Sequence, residues 1–447
     1  MTRWLALIII IGVTLRIGAF IVSPPSNSYD DHLEAVSKTI VATQDLRRIR
    51  PQECWECYQP PAYYLLASAI ASSSSFIFND QFAWKSVQAI SLVSSIMTLL
   101  LTVLAVRLVI PRKEKILVVY FSAAIMAVLP RAIYTSAMAT NDALLEASVA
   151  CALLGYITLI KSEGYSRLGL FLIVLGTIFG CWTKQSGLIL LVPLIGMIVI
   201  MATNLWVPPT EITRKSGLVI AVLTCVIAGS DEVWRFMASG IFLVSNQDYF
   251  PYAVDQLPGS LDSIFFFDFR FRDIYQSVFM SETTLDSFWT EIFSRFWFDY
   301  ERRFFPLNTY AIWTGRISYG AGMILSSVIL YFMLIGLTKK PYDWMHLILI
   351  CFVAAFVLVP ILQTIRYPYF SSMKAVFMLP GIPAIILLAA LGLSNKIDSD
   401  RTKTLLYTMT SGALVFGIFH ILSMISLSSE AFNEGLSGPL WPLPNLR

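Results

Sequence analysis

Apolar residues fill eleven long stretches of the chain, and a polar connection separates each stretch from the next. A helix needs about 20 predominantly apolar residues to cross the hydrocarbon core of a bilayer. Stretches of roughly that length occur at 4–22, 86–110, 116–136, 143–161, 167–183, 186–205, 216–234, 309–337, 344–364, 375–394 and 404–427. The pattern predicts an all-α, polytopic transmembrane bundle of about eleven spans, folded as a single domain over residues 1–447.

The positions of Lys and Arg predict the orientation of these spans, because cytoplasmic connections carry an excess of basic residues. Six basic connections fall on one side of the membrane if the amino terminus is cytoplasmic. They lie at 2–3, 111–115, 161–167, 213–215, 339–340 and 395–403. Residues 61–79 are also apolar, but counting them as a span would break this agreement. We therefore expect residues 61–79 to form a helix that lies on the outer membrane surface.

With this topology, two long connections face outward. The first covers residues 23–85 and includes the surface helix, and the second covers residues 235–308. Within the second, residues 287–298 place aromatic side chains among charged ones at helical spacing. This spacing predicts an amphipathic helix on the outer surface, or alternatively an aromatic wall that binds an acceptor. Functional residues concentrate in loops on a rigid scaffold, so the outer face is the predicted working face.

Composition supports lipid as the main solvent of the chain. Hydrophobic residues make up 56% of the sequence and charged residues 14%, whereas soluble domains are about 25% charged. The net charge of +3 is too small to indicate a nucleic-acid partner. No small-residue cleavage site follows the first apolar stretch, so we expect a retained helix rather than a signal peptide.

The first outer connection opens with a cluster of titratable side chains, Asp30, Asp31, His32 and Glu34. Adjacent carboxylates repel each other, so the pKa of one should rise and one could act as a base. Carboxylates and His are also ligands for divalent ions, which makes Asp30, His32 and the more distant Asp142 candidate metal ligands. The alternative is a polar helix start with Ser28 as its cap. The spacing alone leaves these alternatives open.

A Cys-x-x-Cys pair, Cys54 and Cys57, lies further along the same connection and is followed by Tyr58, Gln59 and two prolines. On an oxidising outer face the two cysteines could form a local disulfide or remain free thiols. A redox or zinc site has less support, because no second Cys or His pair lies nearby. The paired prolines favour an extended backbone leading into the surface helix.

The next outer connection is short and contains Asn141 and Asp142. Either side chain could simply cap the helix that follows. In the predicted topology, however, Asp142 emerges on the same face as the first acidic cluster. Arg131 lies near the outer end of the preceding span and needs a partner in apolar surroundings, and Asp142 is a candidate. Arg16, inside the first span, also needs a partner within the bundle.

Three further cations, Lys184, Arg366 and Lys374, lie at the outer ends of spans. Each alone could extend to the membrane interface along its apolar stem, which needs no functional explanation. All three nevertheless lie on the face that carries the acids. A phosphate group needs cations of this kind, and the guanidinium fork suits it well. We therefore expect a phosphate-binding site on the outer face.

Several local motifs resemble the GT-C superfamily of membrane glycosyltransferases, in particular the branch of protein O-mannosyltransferases and lipid A aminoarabinose transferases. The motifs are YDDH at 29–32, CYQPPAYYLL at 57–66, TNDALL at 140–145 and TKQSGLILLVPL at 183–194, with a weaker similarity in RYPYFSSMKAVFMLPGIPA at 366–384. The common family form of the first motif is Asp-Glu, whereas this chain has Asp-Asp-His. This difference leaves the choice of base and any metal role open.

The resemblance implies a polyprenyl-phosphate-sugar donor and an inverting single displacement. It implies that Asp30 or Asp31 is the base and that Asp142 is a second acidic position of the site. The cofactor stays open, with a divalent metal ion as the candidate that the acidic cluster offers. The residues expected to contribute to substrate binding are His32, Glu34, Tyr58, Gln59, Arg131, Asn141, Lys184, Arg366 and Lys374.

We therefore expect an inverting glycosyltransferase at the outer face of a bacterial plasma membrane, acting on a lipid, glycan or protein acceptor. One alternative is a lipid-linked polysaccharide polymerase or ligase, which also works at this face. Another alternative is a secondary transporter or flippase. Transporters place broken helices and charges near the bilayer midplane, whereas the acids of this chain cluster at the outer ends of helices.

Overall fold

The chain folds into α-helices joined mostly by short turns. The computed structural model describes residues 2–110, 115–163, 166–203, 211–250, 256–260, 267–338, 343–397, 400–433 and 443–444. The first eight helices are α1 Arg3–Val22, α2 His32–Gln44, α3 Ala62–Ile77, α4 Asp80–Val109, α5 Ile116–Val128, α6 Pro130–Ser136, α7 Asp142–Lys161 and α8 Arg167–Thr183. The remaining helices are α9 Leu191–Ala202, α10 Glu211–Ser239, α11 Phe271–Gln276, α12 Phe288–Trp297, α13 Thr309–Leu337, α14 Trp344–Arg366, α15 Ile382–Ser394 and α16 Asp400–Asn433.

The described residues confirm a polytopic helical bundle. Nine of their helical segments are long and apolar enough to cross a bilayer, and the bent pair α5–α6 makes ten. Each of the eleven apolar stretches contains helix. The stretch at 167–183 forms α8, which has 17 residues, extends about 25 Å at 1.5 Å per residue, and is not one of these candidate spans. Four of the basic residues that predict the orientation, Arg112, Lys113, Lys339 and Lys340, lie outside the described residues.

The apolar segment at 61–79 forms α3, which has only 16 residues. Such a helix extends about 24 Å, less than the roughly 30 Å thickness of the hydrocarbon core. One side of α3 is buried through Tyr63, Tyr64 and Ala67, and the helix packs against α2 and α4. A short helix outside the set of spans agrees with the sequence analysis, while its position on the membrane surface stays a prediction.

A proline breaks the third apolar stretch, and a buried arginine stabilises the break. Pro130 has no N–H to donate to the Met126 carbonyl four residues earlier, and α5 and α6 meet there at 51°. Arg16 of α1 donates to the Met126 and Ala127 carbonyls at 2.9 and 3.0 Å. Its Nε donates to Ser95 of α4 at 2.9 Å. The partners that Arg16 was expected to need are therefore carbonyl and hydroxyl oxygens.

Helices α7 and α8 pack closely against each other, and this packing brings one end of α7 next to one end of α8. A Cβ atom on Gly155 of α7 would lie only 2.7 Å from the carbonyl oxygen of Gly169 in α8. Small residues at such positions let two backbones approach closely inside a membrane. The helices are antiparallel neighbours, so the start of α7 lies beside the end of α8.

The amphipathic helix predicted at 287–298 forms as α12, but it is buried rather than lying on a surface. Glu291 and Arg295 on this helix are fully buried. They form an ion pair at 2.9 Å, and Arg295 also donates to the Met373 carbonyl at 2.7 Å. The prediction of a surface location was wrong, because these charged side chains are neutralised by each other and by backbone groups. They therefore do not need to face water.

We predict that Arg16→Met destabilises the protein. The substitution leaves the Met126 and Ala127 carbonyls without their donor in a buried site, and each such carbonyl costs about 1–3 kcal/mol. The thermal unfolding midpoint of the purified protein in detergent should fall by several degrees. Arg107→Met, at the exposed end of α4, is the matched control and should leave the midpoint unchanged. Equal midpoints for R16M and R107M would contradict this role of Arg16.

Candidate active site

A cavity of about 650 Å³ collects most of the acidic and cationic side chains that the sequence analysis selected. It is bounded by the segment after α1, the turn before α3, the end of α8 and the segment before α15. The selected residues that line it are Asp30, Asp31, Glu34, Tyr58, Gln59, Lys184 and Lys374. These residues come from four separate parts of the sequence, so the fold brings them together as predicted.

The segment after α1 holds Asp30 in the cavity through contacts with a distant loop. Ser28 Oγ donates to the Ala139 carbonyl at 3.0 Å, and the Ala139 N–H donates to the Asn27 carbonyl at 3.2 Å. The Ser28 hydroxyl therefore does not cap α2, contrary to the alternative that the sequence left open. Both carboxylate oxygens of Asp30 accept from Lys374 Nζ at 2.9 Å.

Asp31 is adjacent to Asp30 but lies in a different electrostatic environment. It is buried, and burial followed by its hydrogen bond to Glu34 raises its pKa to about 9. Burial and the nearby Asp30 carboxylate likewise raise the pKa of Glu56 to about 8. Both groups are therefore largely protonated at neutral pH, whereas Asp30 forms an ion pair with Lys374.

Asp142, the first residue of α7, forms an ion pair with Lys184, which follows the last residue of α8. The Thr140 hydroxyl also donates to Asp142 at 2.8 Å. The turn after Lys184 is compact, and a Cβ atom on Gly187 would collide with the Gly180 carbonyl. Glycine at this position lets the chain fold back so that Lys184 reaches both Asp142 and the cavity.

Two of the expected binding residues lie behind the cavity wall. His32 is buried, its Nδ1 lies 2.8 Å from the Tyr64 hydroxyl, and burial lowers its pKa to about 4. Asn141 donates to the Thr183 carbonyl at 3.3 Å. In the described part of the chain, no three Asp, Glu, His or Cys side chains are grouped to hold a metal ion. The metal site considered for Asp30, His32 and Asp142 therefore has no geometric support here.

The sequence analysis suggested that Arg131 pairs with Asp142, but in the structure Arg131 has a different partner. Its guanidinium lies 3.8 Å from the carboxylate of Glu301 and 4.2 Å from the centre of the Tyr29 ring. The suggested pairing was wrong because Lys184 already neutralises Asp142. Glu301 lies in the loop before α13, and no local sequence pattern connects it to Arg131.

Arg366 lies in a neighbouring groove of about 260 Å³, which shares Lys184, Gln59 and Tyr58 with the main cavity. Its guanidinium lies 3.8 Å from Asp248. The far wall of this groove is apolar and is formed by Leu188, Ile189, Val359 and Pro360. The groove therefore joins a polar, charged chamber to a hydrophobic surface between α14 and the turn after α8.

A disulfide joins Cys54 to Cys57, which decides between the alternatives left open by the sequence. The turn that it closes carries Glu56 and Gln59 into the cavity. Gln59 Nε2 donates to Glu56 at 3.2 Å and to the Tyr58 hydroxyl at 2.7 Å. The Gln59 side-chain oxygen is buried and has no hydrogen-bond partner in the described residues. It can accept a hydrogen bond from a molecule in the cavity.

Sequence reasoning missed several residues that line the same cavity, among them Tyr29, Glu56, Glu301 and Arg303. Glu56 is recognisable only as the acid inside the Cys-x-x-Cys pair. Glu301 and Arg303 belong to a run of charges in an aromatic loop, which is a weak signal that the site could extend there. The cavity holds the Asp30 carboxylate against the Lys374 ammonium, and Lys184 lines the same cavity. This arrangement can accept a proton and bind an anionic group at the same time.

The fold is similar to those of solved membrane enzymes. ArnT from Cupriavidus metallidurans, solved with bound undecaprenyl phosphate, has a TM-score of 0.53 at 12% identity, covering 98% of this chain and 79% of ArnT. Archaeal oligosaccharyltransferase AglB from Archaeoglobus fulgidus, solved with an inhibitory peptide and a dolichol-phosphate, has a TM-score of 0.50 at 13% identity, covering 96% of this chain and 56% of AglB.

The apo form of the Archaeoglobus fulgidus oligosaccharyltransferase has a TM-score of 0.51 at 12% identity, covering 100% of this chain and 57% of that protein. This chain thus spans a little over half the length of the oligosaccharyltransferases. No protein-family model matches the sequence, and no curated protein matches it. The likeness is one of architecture, and it extends over nearly the whole chain. The protein therefore shares the fold of ArnT and AglB, as the resemblance of its motifs to the GT-C superfamily predicted.

Proposed function

We propose that this protein is an inverting glycosyltransferase that transfers a sugar from a polyprenyl-phosphate donor to an acceptor. The observation that carries this proposal is the position of the Asp30 carboxylate in one cavity with Lys374 and Lys184. Transfer from a sugar phosphate needs a base for the acceptor and positive charge for the departing phosphate. The cavity provides both within a fold shared with GT-C enzymes.

Two features support a polyprenyl phosphate as the carrier. The similar structures of ArnT and AglB contain undecaprenyl phosphate and a dolichol-phosphate, respectively. In this chain, the groove beside Lys184 and Arg366 has an apolar far wall. A lipid phosphate bound there would keep its headgroup near the cations and its first isoprene units on the hydrophobic surface.

The proposed reaction is a single displacement at the anomeric carbon. Asp30 accepts the proton from an acceptor hydroxyl or amine as that atom forms its bond to the carbon. The bond from the carbon to the phosphate oxygen breaks, and its electron pair leaves with the polyprenyl phosphate. Lys374 and Lys184 stabilise the negative charge of that leaving phosphate. Attack opposite to the leaving group inverts the configuration.

Asp30 is a better base than Asp31. A general base must be ionised and accessible to its substrate. Asp31 is buried, and its raised pKa of about 9 leaves it protonated at neutral pH. Asp30 is only partly buried, with a side-chain exposure of 26%, and is charge-paired. We assign Asp142 to holding Lys184 in place, because Asp142 is buried and pairs with Lys184.

An outward orientation of the site is part of the proposal. The disulfide between Cys54 and Cys57 forms part of the cavity wall, and disulfides persist mainly on the oxidising side of a membrane. The pattern of basic connections in the sequence predicts the same orientation. We therefore place the reaction at the outer face of a bacterial plasma membrane, with a lipid, glycan or protein as acceptor.

Substitution of Asp30 should separate the two candidate bases. Asp30→Asn removes the base and should lower sugar transfer by about 10²–10⁴-fold, the usual contribution of general-base catalysis. Asp31→Asn replaces a group that is already neutral and should retain far more activity. Transfer can be measured in proteoliposomes with a panel of undecaprenyl-phosphate-linked sugars. Full activity of D30N, or a larger loss in D31N, would contradict the assignment.

Asp31 should also make stability depend on pH. The pKa of Asp31 in the folded state is raised from 3.8 to about 9. Its favourable contribution to the free energy of unfolding is therefore complete below pH 3.8 and is progressively lost as pH rises to about 9. The unfolding midpoint of Asp31→Asn relative to that of the wild type should therefore increase between pH 5 and 9. Asp45→Asn, at an exposed acid, is the control. A constant difference between D31N and wild type would refute the buried, protonated state of Asp31.

Binding of undecaprenyl phosphate should depend on the two cavity lysines. Each charged hydrogen bond to phosphate contributes about 1.5–3 kcal/mol, so Lys374→Met should weaken binding by about tenfold or more. For Lys184 the double variant K184M/D142N is preferable, because it leaves no unpaired buried carboxylate. Lys38→Met on α2 is the control, since Lys38 does not line the cavity. Unchanged affinity of both lysine variants in native mass spectrometry would count against the phosphate site.

A further inference from the structure

Tyr29, the residue before Asp30, is held by side chains from three distant parts of the chain. Its side chain is 97% buried, since only 3% is exposed. Arg131 lies 4.2 Å and Lys374 Nζ lies 4.8 Å from the centre of its ring. Its hydroxyl donates to Glu301 at 3.2 Å. Burial raises the pKa of Tyr29 to about 12, so the hydroxyl remains a hydrogen-bond donor at neutral pH.

Glu301 is the centre of this arrangement. Besides the Tyr29 hydroxyl, its carboxylate accepts an ion pair from Arg295 at 3.3 Å and from Arg131 at 3.8 Å. Burial opposes its ionisation, but Arg295 and Arg131 outweigh burial and lower the pKa of Glu301 to about 2. Glu301 is therefore a fixed negative charge between two guanidinium groups.

The backbone that carries Glu301 is itself rigidly held. The Asp299 carboxylate accepts the N–H groups of Arg303, Phe304 and Phe305 at 2.8, 2.6 and 2.9 Å. Three hydrogen bonds from consecutive residues close the loop into a turn around Asp299. Arg303 then donates to the Tyr29 carbonyl at 3.3 Å. The turn thus contacts both the side chain and the backbone of the residue that precedes the proposed base.

Arg295, which pairs with Glu301, is itself charge-balanced by another acid. Glu301 therefore does not depend on Tyr29 to neutralise its charge. Arg295 pairs with Glu291 at 2.9 Å, and Glu291 accepts from the Tyr300 hydroxyl at 2.7 Å. Two glutamates and two arginines balance each other within the network. The hydrogen bond from Tyr29 to Glu301 can therefore be removed without leaving an unpaired charge.

We propose that Glu301 is a positioning residue that fixes Tyr29 and, through it, the orientation of Asp30 and Lys374 in the cavity. The inference rests on the proposed function, because it assigns Asp30 the role of base. Tyr29 and Asp30 are consecutive, and Lys374 contacts both of them, so a rotation of the Tyr29 side chain would displace the base and its cation together. The loop before α13 thereby takes part in catalysis through the hydrogen bond between Glu301 and Tyr29.

The test is the variant Tyr29→Phe, which keeps the ring and its contacts with both cations but removes the hydrogen bond to Glu301. We expect kcat to fall by about tenfold, which corresponds to the loss of one hydrogen bond to a charged group. The KM for the donor and the affinity for undecaprenyl phosphate should remain within about twofold of wild type. The unfolding midpoint should stay close to that of wild type, because Glu301 retains both arginines.

The second variant is Glu301→Ala, and the pair forms a double-mutant cycle with Y29F. If Glu301 acts through Tyr29, the double variant should have the same kcat as E301A alone. Asp286→Asn is the matched control, because Asp286, between α11 and α12, also forms an ion pair with an arginine, Arg270, at 2.6 Å and lies outside the cavity lining. It should leave kcat unchanged.

The outcomes separate this inference from the proposed function. Wild-type kcat in Y29F, or additive losses in the double variant, would overturn the positioning role of Glu301 while leaving the glycosyltransferase proposal intact. A loss of kcat in Y29F that merely follows a loss of thermal stability would overturn it as well. If the wild-type protein neither binds undecaprenyl phosphate nor transfers sugar from it, the proposed function fails and the positioning role fails with it.

Discussion

The neutralisation of buried charge is the constraint on which this structure depends. A charge removed from water is costly unless an opposite charge and hydrogen bonds compensate it. At one end of the bundle, Lys374 pairs with Asp30 and Lys184 pairs with Asp142. Glu301 lies between two arginines. Each pair joins segments that are distant in sequence, so the electrostatics that make the cavity suitable for phosphate chemistry also hold its walls together.

The same constraint explains features of the bundle that have no catalytic role. Pro130 leaves a carbonyl without its helical donor, and Arg16 supplies a donor from another helix. In α12, Glu291 and Arg295 are buried as a pair, which allows a helix rich in charge to pack inside the fold. A protonated carboxyl is the other solution to the same problem, and Asp31 adopts it beside Glu34.

Local patterns in the sequence were sufficient to predict the polytopic helical bundle, the short helix α3 and most of the acids that enter the cavity. These features depend on apolar stretch length and on motifs a few residues long. The partners of the charges could not be predicted in this way. Arg131 pairs with Glu301 rather than with the nearer Asp142, and α12 is buried because Arg295 reaches the Met373 carbonyl. Both outcomes arise from contacts between residues more than 70 positions apart, which periodicity and spacing do not encode.

A direct test of the central claim is a cryo-electron microscopy structure of the protein with added undecaprenyl phosphate. The account predicts density for the phosphate in the cavity, within hydrogen-bonding distance of Lys374 and Lys184, with the isoprene chain leaving along the apolar wall of the adjoining groove. Phosphate density at the opposite end of the bundle, or a lipid bound without contact to either lysine, would contradict it.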